Sequence, residues 1–185
     1  MSQTTNETAA LTGTWTIDPA HSVVGFVARH AMVTKVRGRF RDVEGQISIV
    51  AHEPKQSSAT VKLAVSSVDT GQQQRDDHLR SGDFFDAEKY GEITFTSSDV
   101  EVDGTEVKLT GDLTIKDVTK PVTLELEYTG TAVDPFGNTR AGFEGETTVN
   151  RKDWGLTWNA ALETGGVLVS EKVTLEFDIS LIKSA

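Results

Sequence analysis

Apolar and polar side chains alternate along most of this chain, and that period of two limits the fold more than any other feature. Val122, Leu124, Leu126 and Tyr128 alternate with Thr123, Glu125 and Glu127. Val107, Leu109, Leu113 and Ile115 share one parity with Gly111, while Lys108, Thr110, Asp112 and Thr114 hold the other. Val173, Leu175, Phe177, Ile179 and Leu181 alternate with Thr174, Glu176, Asp178 and Ser180. Shorter copies stand at Val24-Phe26-Ala28, Ile47-Ile49, Val61-Leu63-Val65 and Ile93-Phe95. Residues two apart share a strand face, so each pattern turns one face to an apolar interior and the other to water.

The turn residues fit this reading. Asp103-Gly104 is a two-residue hairpin signal, since glycine accepts the positive φ of a type I′ turn. Such a turn places Val100 opposite Val107 and Val102 opposite Thr105. Asp134-Pro135-Phe136-Gly137 reads as a second turn, joining a strand near 122–132 to one near 139–150. Residues 72–81 lack alternation and predict one short helix. Trp154 to Gly166, rich in Gly and Asn, predicts a long loop. The expectation is one all-β domain of eight to ten mostly antiparallel strands, which must either sandwich or close. Alternation alone does not separate a filled interior from a hollow one.

Composition removes several functional classes. The 185 residues suit one domain with a sizeable core or cavity. A formal net charge of -10 repels phosphate backbones and anionic lipid at long range, so nucleic acid is not an expected partner. The absence of cysteine excludes disulfides, thiolate catalysis and zinc–thiolate sites. No run of about 20 apolar residues occurs to span a membrane. Met1 to Thr12 carry no Lys or Arg, and Leu11 is their one large aliphatic after Met1. This stretch lacks the basic start and apolar run of a secretory signal and reads as a disordered tail. Residues 13–185 are then the single domain, expected in the cytoplasm, and a homodimer is compatible with the sequence.

Four features invite a chemical reading. His78 stands beside Asp76 and Asp77, with Arg75 and Arg80 close in sequence. Such residues supply acid–base or metal chemistry. The plainer reading is a structural network that pins the helix over one end of the domain. No two of His21, His30, His52 and His78 have the spacing of a metal-ligand pair, so no metal and no catalytic residue is assigned. His30 shares its parity with Val24, Phe26 and Ala28 and is expected to face inward, either bonded to a carbonyl or anchoring a polar end of a ligand. Lys35, Arg37, Arg39 and Arg41 alternate with Val36, Gly38 and Phe40 and so point one way. Lys35, Arg37 and Arg39 are an anion site on one reading, or a lipid head-group contact; on the other the stripe is a solvated strand face paired with acids. Phe84, Phe85, Trp154 and Trp158 suit cavity walls and packed core equally.

Several blocks follow one another along the chain: Trp15-Thr16-Ile17-Asp18-Pro19-Ala20-His21-Ser22, His30, Gly38-Arg39-Phe40 and Arg75-Asp76-Asp77-His78-Leu79-Arg80-Ser81. Asp83-Phe84-Phe85-Asp86, Ile93-Thr94-Phe95, Gly111-Asp112-Leu113-Thr114-Ile115, Val118-Thr119-Lys120-Pro121-Val122 and Arg151-Lys152-Asp153-Trp154-Gly155-Leu156 complete the series. In this order they resemble the YceI-like family over nearly all of the chain after the tail. The resemblance implies a lipocalin-like antiparallel β-barrel of about eight strands with one short helix and a long apolar cavity. It implies non-enzymatic binding of a long polyisoprenoid, either an isoprenoid quinone or a prenyl pyrophosphate, with no covalent cofactor. The chain departs from the family in having no export signal, and in Asp117 where the family has Gly before Val-Thr-Lys-Pro. The expected ligand-binding residues are Val24, Phe26, His30, Phe40, Val61 and Leu63, then Phe84, Phe85, Phe95 and Leu113, then Leu124, Leu126, Phe143, Trp154 and Phe177; Ile47 completes the inward set. Two other readings stay open: a filled barrel acting as a stress-related interaction protein, and an enzyme using His78 and Asp76 on an apolar substrate.

Overall fold

The computed structural model describes residues 10–162 and 166–184. Its strands are β1 (Gly13–Ile17), β2 (Val23–His30), β3 (Thr34–Phe40), β4 (Val43–Ile49), β5 (Ser58–Ala64) and β6 (Val68–Asp69). β7 (Glu92–Asp103), β8 (Glu106–Ile115), β9 (Val118–Val133), β10 (Thr139–Asn150) and β11 (Lys172–Lys183) follow the short helix α1 (Gln73–Arg80). Each strand of the sheet pairs antiparallel in the order β1-β4-β5-β7-β8-β9-β10-β11, and β1 pairs back onto β11. That return contact closes an eight-stranded barrel and removes the open edges an antiparallel sheet would otherwise expose. β2 continues β1 along the same edge of β11, with Ile17 opposite Leu181 and Val24 opposite Phe177. β3 pairs with β2, and its far edge takes β6.

The 134–137 turn joins β9 to β10 as expected, and α1 falls within 72–81. The β7–β8 hairpin differs from expectation. Asp103 pairs with Glu106, Val102 with Val107 and Val100 with Leu109. The turn is therefore Gly104-Thr105, with Gly104 at φ 61. Glycine takes the first central position, as a II′ geometry requires, rather than the second. The centre moves by one residue, so partners change by two and the inward parity survives. A bulge between Ser97 and Asp99 switches that parity, from Ile93 and Phe95 to Val100 and Val102.

The expected tail was drawn too long. Residues 1–9 lie outside the described residues, but Ala10 to Thr12 are bonded to the barrel. The Leu11 carbonyl accepts from Trp15 Nε1 (2.8 Å), and Thr12 Oγ1 accepts from the Ala51 amide (3.0 Å). Trp15 is fully buried, so its indole N–H needs an internal partner, and Leu11 supplies one.

The bend between β1 and β2 is an ionic corner. The Asp18 amide donates to the Ser180 carbonyl (2.9 Å), and Ser22 Oγ accepts from the Ser180 amide (2.9 Å). Arg140 of β10 spans two carboxylates, reaching Asp18 Oδ2 at 2.8 Å and Asp134 Oδ2 at 2.7 Å. The Arg140 guanidinium, helped by donors from Asn138 and Phe136, holds the Asp134 carboxyl down to about 2, and with His21 it also lowers Asp18. A depressed carboxylate stabilises the fold above its unfolded value and stops doing so as pH falls through the folded value. Resistance to urea should therefore weaken as pH drops from the ordinary carboxylate value of 3.8 toward about 2. Arg140→Gln should flatten that part of the curve; an unchanged slope would mean the corner contributes nothing to acid sensitivity.

Candidate ligand cavity

The alternating faces predicted from sequence meet around a lumen. The barrel encloses a cavity of about 630 Å³, within the roughly 300–1,000 Å³ span of small-molecule sites. The filled-barrel alternative does not describe this structure. Val24 and Phe26 of β2, Phe40 of β3, Val61 and Leu63 of β5 and Phe95 of β7 face the lumen. Leu113, Leu124, Leu126, Phe143 and Phe177 continue the wall around β8 to β11, and Ile47 joins from β4. Ile17, Leu109, Leu175 and Ile179 also line it. Leu109, Leu175 and Ile179 belong to strand patterns visible in the sequence, but none of the four was among the expected ligand contacts.

The two ends differ. At one end the lining includes Ala51 and Pro54 of the β4–β5 connection and the exposed Val102, Gly104 and Thr105 of the β7–β8 hairpin, so the cavity reaches the surface there. At the other, Leu79 of α1, Phe84, Phe85, Trp154 and Leu156 stand across the lumen. Phe85 meets Phe40 edge-on with centroids 5.8 Å apart, and Trp154 Nε1 donates to the Leu113 carbonyl (2.9 Å). The sequence showed no sign that Leu79 or Leu11 would reach the cavity, because neither lies in an alternating segment.

Lumen width depends on glycine facing an aromatic ring. Gly38 pairs directly with Phe26, and a Cβ on Gly38 would stand 2.3 Å from Phe26 Cζ. The ring lies against the wall only because nothing projects there. Gly38→Val should drive the ring into the lumen, cost about 1–3 kcal/mol of stability and reduce uptake of long apolar chains. Urea titration and a fluorescent-lipid titration would read both effects; wild-type capacity would show that Phe26 does not set the width.

Arg151 is the charged residue of the lining, 6% exposed. It donates from Nε to the Ser170 carbonyl (2.8 Å), from Nη1 to the Leu156 carbonyl (2.5 Å) and from Nη2 to the Val169 carbonyl (3.3 Å). Burial pulls its pKa below the ordinary arginine value, against the opposing pull of Glu171. Its donors hold the backbone at Leu156 and at Val169–Ser170 rather than facing the lumen as an anion site.

Two groups expected at the site lie elsewhere. His30 is exposed and does not line the cavity. β2 has left the barrel at that point and ends in a turn, where the His30 backbone bridges Val169 and Ala31 donates to the Leu168 carbonyl (2.7 Å). Lys35, Arg37 and Arg39 share the outer face of β3, opposite the lumen-facing Phe40 parity, so they cannot hold a ligand head inside. Arg37 pairs with Glu176 (3.1 Å) and Arg41 with Asp69 (2.5 Å), while Arg39 Nε is buried with no hydrogen-bond partner among the described residues.

His78 and Asp76 do not act on one another. His78 Nε2 meets Asp83 Oδ2 at 2.9 Å, and its ring packs edge-on against Trp158 and Phe84, 4.6 and 5.1 Å between centroids. Asp76 Oδ1 is taken by the Thr70 amide (2.8 Å) and hydroxyl (2.5 Å). Arg80 bonds the Ser66 and Val68 carbonyls at 3.0 Å each. These bonds fasten α1 to the barrel end, and neither His78 nor Asp76 lines the cavity. Among the described residues no group of three or more His, Cys, Asp and Glu side chains could hold a metal ion. None of the described helices is long and apolar enough to cross a bilayer.

Fold and cavity together define a lipocalin-like closed barrel with a hollow apolar interior. The YceI-like domain model matches residues 15–181, and the chain belongs to that family. It is 42% identical over 136 residues to Protein YceI of Escherichia coli O157:H7, covering 74% of this chain and 71% of the relative. Among solved structures, Burkholderia cenocepacia BcnA superposes with a TM-score of 0.78 at 25% identity, covering 89% of this chain and 98% of BcnA. A polyisoprenoid binding domain from Saccharophagus degradans shares the fold, with a TM-score of 0.70 at 18% identity over 91% of this chain and 98% of that domain.

Proposed function

We propose that this protein binds a long polyisoprenoid chain non-covalently inside the barrel and performs no chemistry on it. The observation that carries the reading is the apolar lumen of about 630 Å³, walled by aliphatic and aromatic side chains from most of the barrel strands. Burying a prenyl tail at about 25 cal/mol per Å² contributes on the order of 10 kcal/mol before the costs of association. The Saccharophagus domain, bearing the polyisoprenoid-binding description on the same fold, is in keeping with this ligand class.

We favour a neutral head, such as a quinone, over a pyrophosphate. The basic stripe lies on the outer wall, and the donors of Arg151 are engaged by carbonyls. Asp103 and Glu106 flank the exposed hairpin at the open end, where they repel an anionic head. Native mass spectrometry of the purified chain should find a near-stoichiometric prenyl species, and added isoprenoid quinone should displace it better than a prenyl pyrophosphate of equal length. Protein that is persistently empty and indifferent to quinones would end the carrier reading. Stronger displacement by the pyrophosphate would end the neutral-head part alone.

A further inference from the structure

The β2–β3 hairpin leaves the barrel carrying charge and exposed apolar surface that the cavity does not use. Residues 23–40 contain no Asp or Glu, in a chain with 28 acidic residues. Arg29 faces Lys35 across the pair, Arg37 faces Val27 and Arg39 faces Gly25, so four cations share one outer face. Arg37 is engaged by Glu176; Lys35 forms no ion pair among the described residues. At the tip, Ala31 and Met32 hold positive φ values of 51 and 61, and the turn is tied by Arg29 Nη1 to the Val33 carbonyl (3.1 Å). It presents Met32 and Val33 at 63% and 75% exposure.

Acidic charge is gathered elsewhere. Asp103, Glu106, Glu127, Glu144 and Asp178 stand in register across β7 to β11, all exposed. Like charges directly opposite cost stability, so this row marks a strongly negative wall. The net charge of -10 is therefore unevenly placed, with the hairpin as its cationic pole.

We propose that the β2–β3 tip docks on an anionic lipid surface, Met32 and Val33 entering the interface and Arg29 and Lys35, the exposed cations beside the tip, meeting the head groups. Beyond about 8–10 Å, salt screens the acidic wall, so local charge decides at contact. A basic residue near an anionic leaflet strengthens binding by about fivefold, and two apolar side chains add only a shallow anchor, so docking is weak and reversible. The open end of the cavity lies at the other end of the barrel, so the tip tethers the protein without placing that opening on the bilayer. The proposal stands whether or not the lumen holds a prenyl chain.

The test is flotation of the full chain with vesicles of equal parts phosphatidylglycerol and phosphatidylcholine, and with phosphatidylcholine alone. Binding should occur on the first only and fade with added salt. Lys35→Glu should weaken it by about fivefold or more, and Met32→Asp with Val33→Asp should remove it. Lys108→Glu, on the acidic wall, should leave it unchanged. Circular dichroism and the cargo mass spectrum of each variant check that the barrel is intact. Equal binding to both vesicles, binding to neither, retained binding in the tip variants, or an equal loss with Lys108→Glu would overturn the proposal. So would a concentration-dependent dimer abolished by Met32→Asp, which assigns the tip to a second copy of this chain.

Discussion

Phe177→Asp is expected to abolish uptake of long apolar chains and to lower stability by about 3–5 kcal/mol. Phe177 lines the lumen from β11, between Val24 of β2 and Gly145 of β10. Gly145 contributes no side chain, and a Cβ there would stand 2.0 Å from the Glu125 carbonyl oxygen, so the position directly opposite on β10 cannot fill the space the ring leaves. The substitution removes a large apolar wall element and places a carboxylate among aliphatic side chains, with no cation of the lining available to pair with it. Phe177→Leu should retain most of the uptake, because an apolar wall survives. Urea denaturation and lipid titration on the three proteins would separate these effects. Full uptake by the folded Asp variant would place the ligand outside the lumen.

Arg151→Met is expected to cost a further-reaching loss, again about 3–5 kcal/mol, because it orphans the Ser170 and Leu156 carbonyls and leaves the Val169 carbonyl to Asn159 Nδ2 alone. Met fills much of the volume but donates nothing to Ser170, Leu156 or Val169. Those carbonyls lie at the Trp154 end of the cavity, where Leu156 and Val169 line it. Limited proteolysis should cut there first in the variant, and bound lipid should dissociate faster. Arg151→Lys should recover less than half of the loss, since one ammonium cannot reproduce a planar fork aimed at three acceptors. Wild-type protease resistance in Arg151→Met would show that packing by Trp154 and Leu156 alone secures that end.

The sequence by itself determined which strand faces are apolar. Val24, Phe26, Leu113, Leu124, Leu126 and Phe177 all face the lumen, because side-chain alternation is a local property of an extended backbone and survives any pairing. For the same reason the hairpin between Val100 and Leu109 kept its inward parity even though its turn centre moved by a residue. The short helix was legible from the loss of alternation, and the 134–137 turn from its Pro and Gly. Where local pattern met an element's end, it failed: His30 keeps the inward parity, but β2 has already passed the barrel rim, and no sequence period records where a wall stops.

Only the tertiary structure decided that the apolar faces line a void instead of interlocking, since closure depends on β1 pairing with β11 across 150 and more residues of chain. It also decided the partners of charge. Arg151 reaches the Ser170 and Val169 carbonyls 19 and 18 residues further along the chain, and Arg37 is met by Glu176, 139 residues away. Both outcomes rest on contacts between segments far apart in sequence, and a period-two pattern carries no information about those.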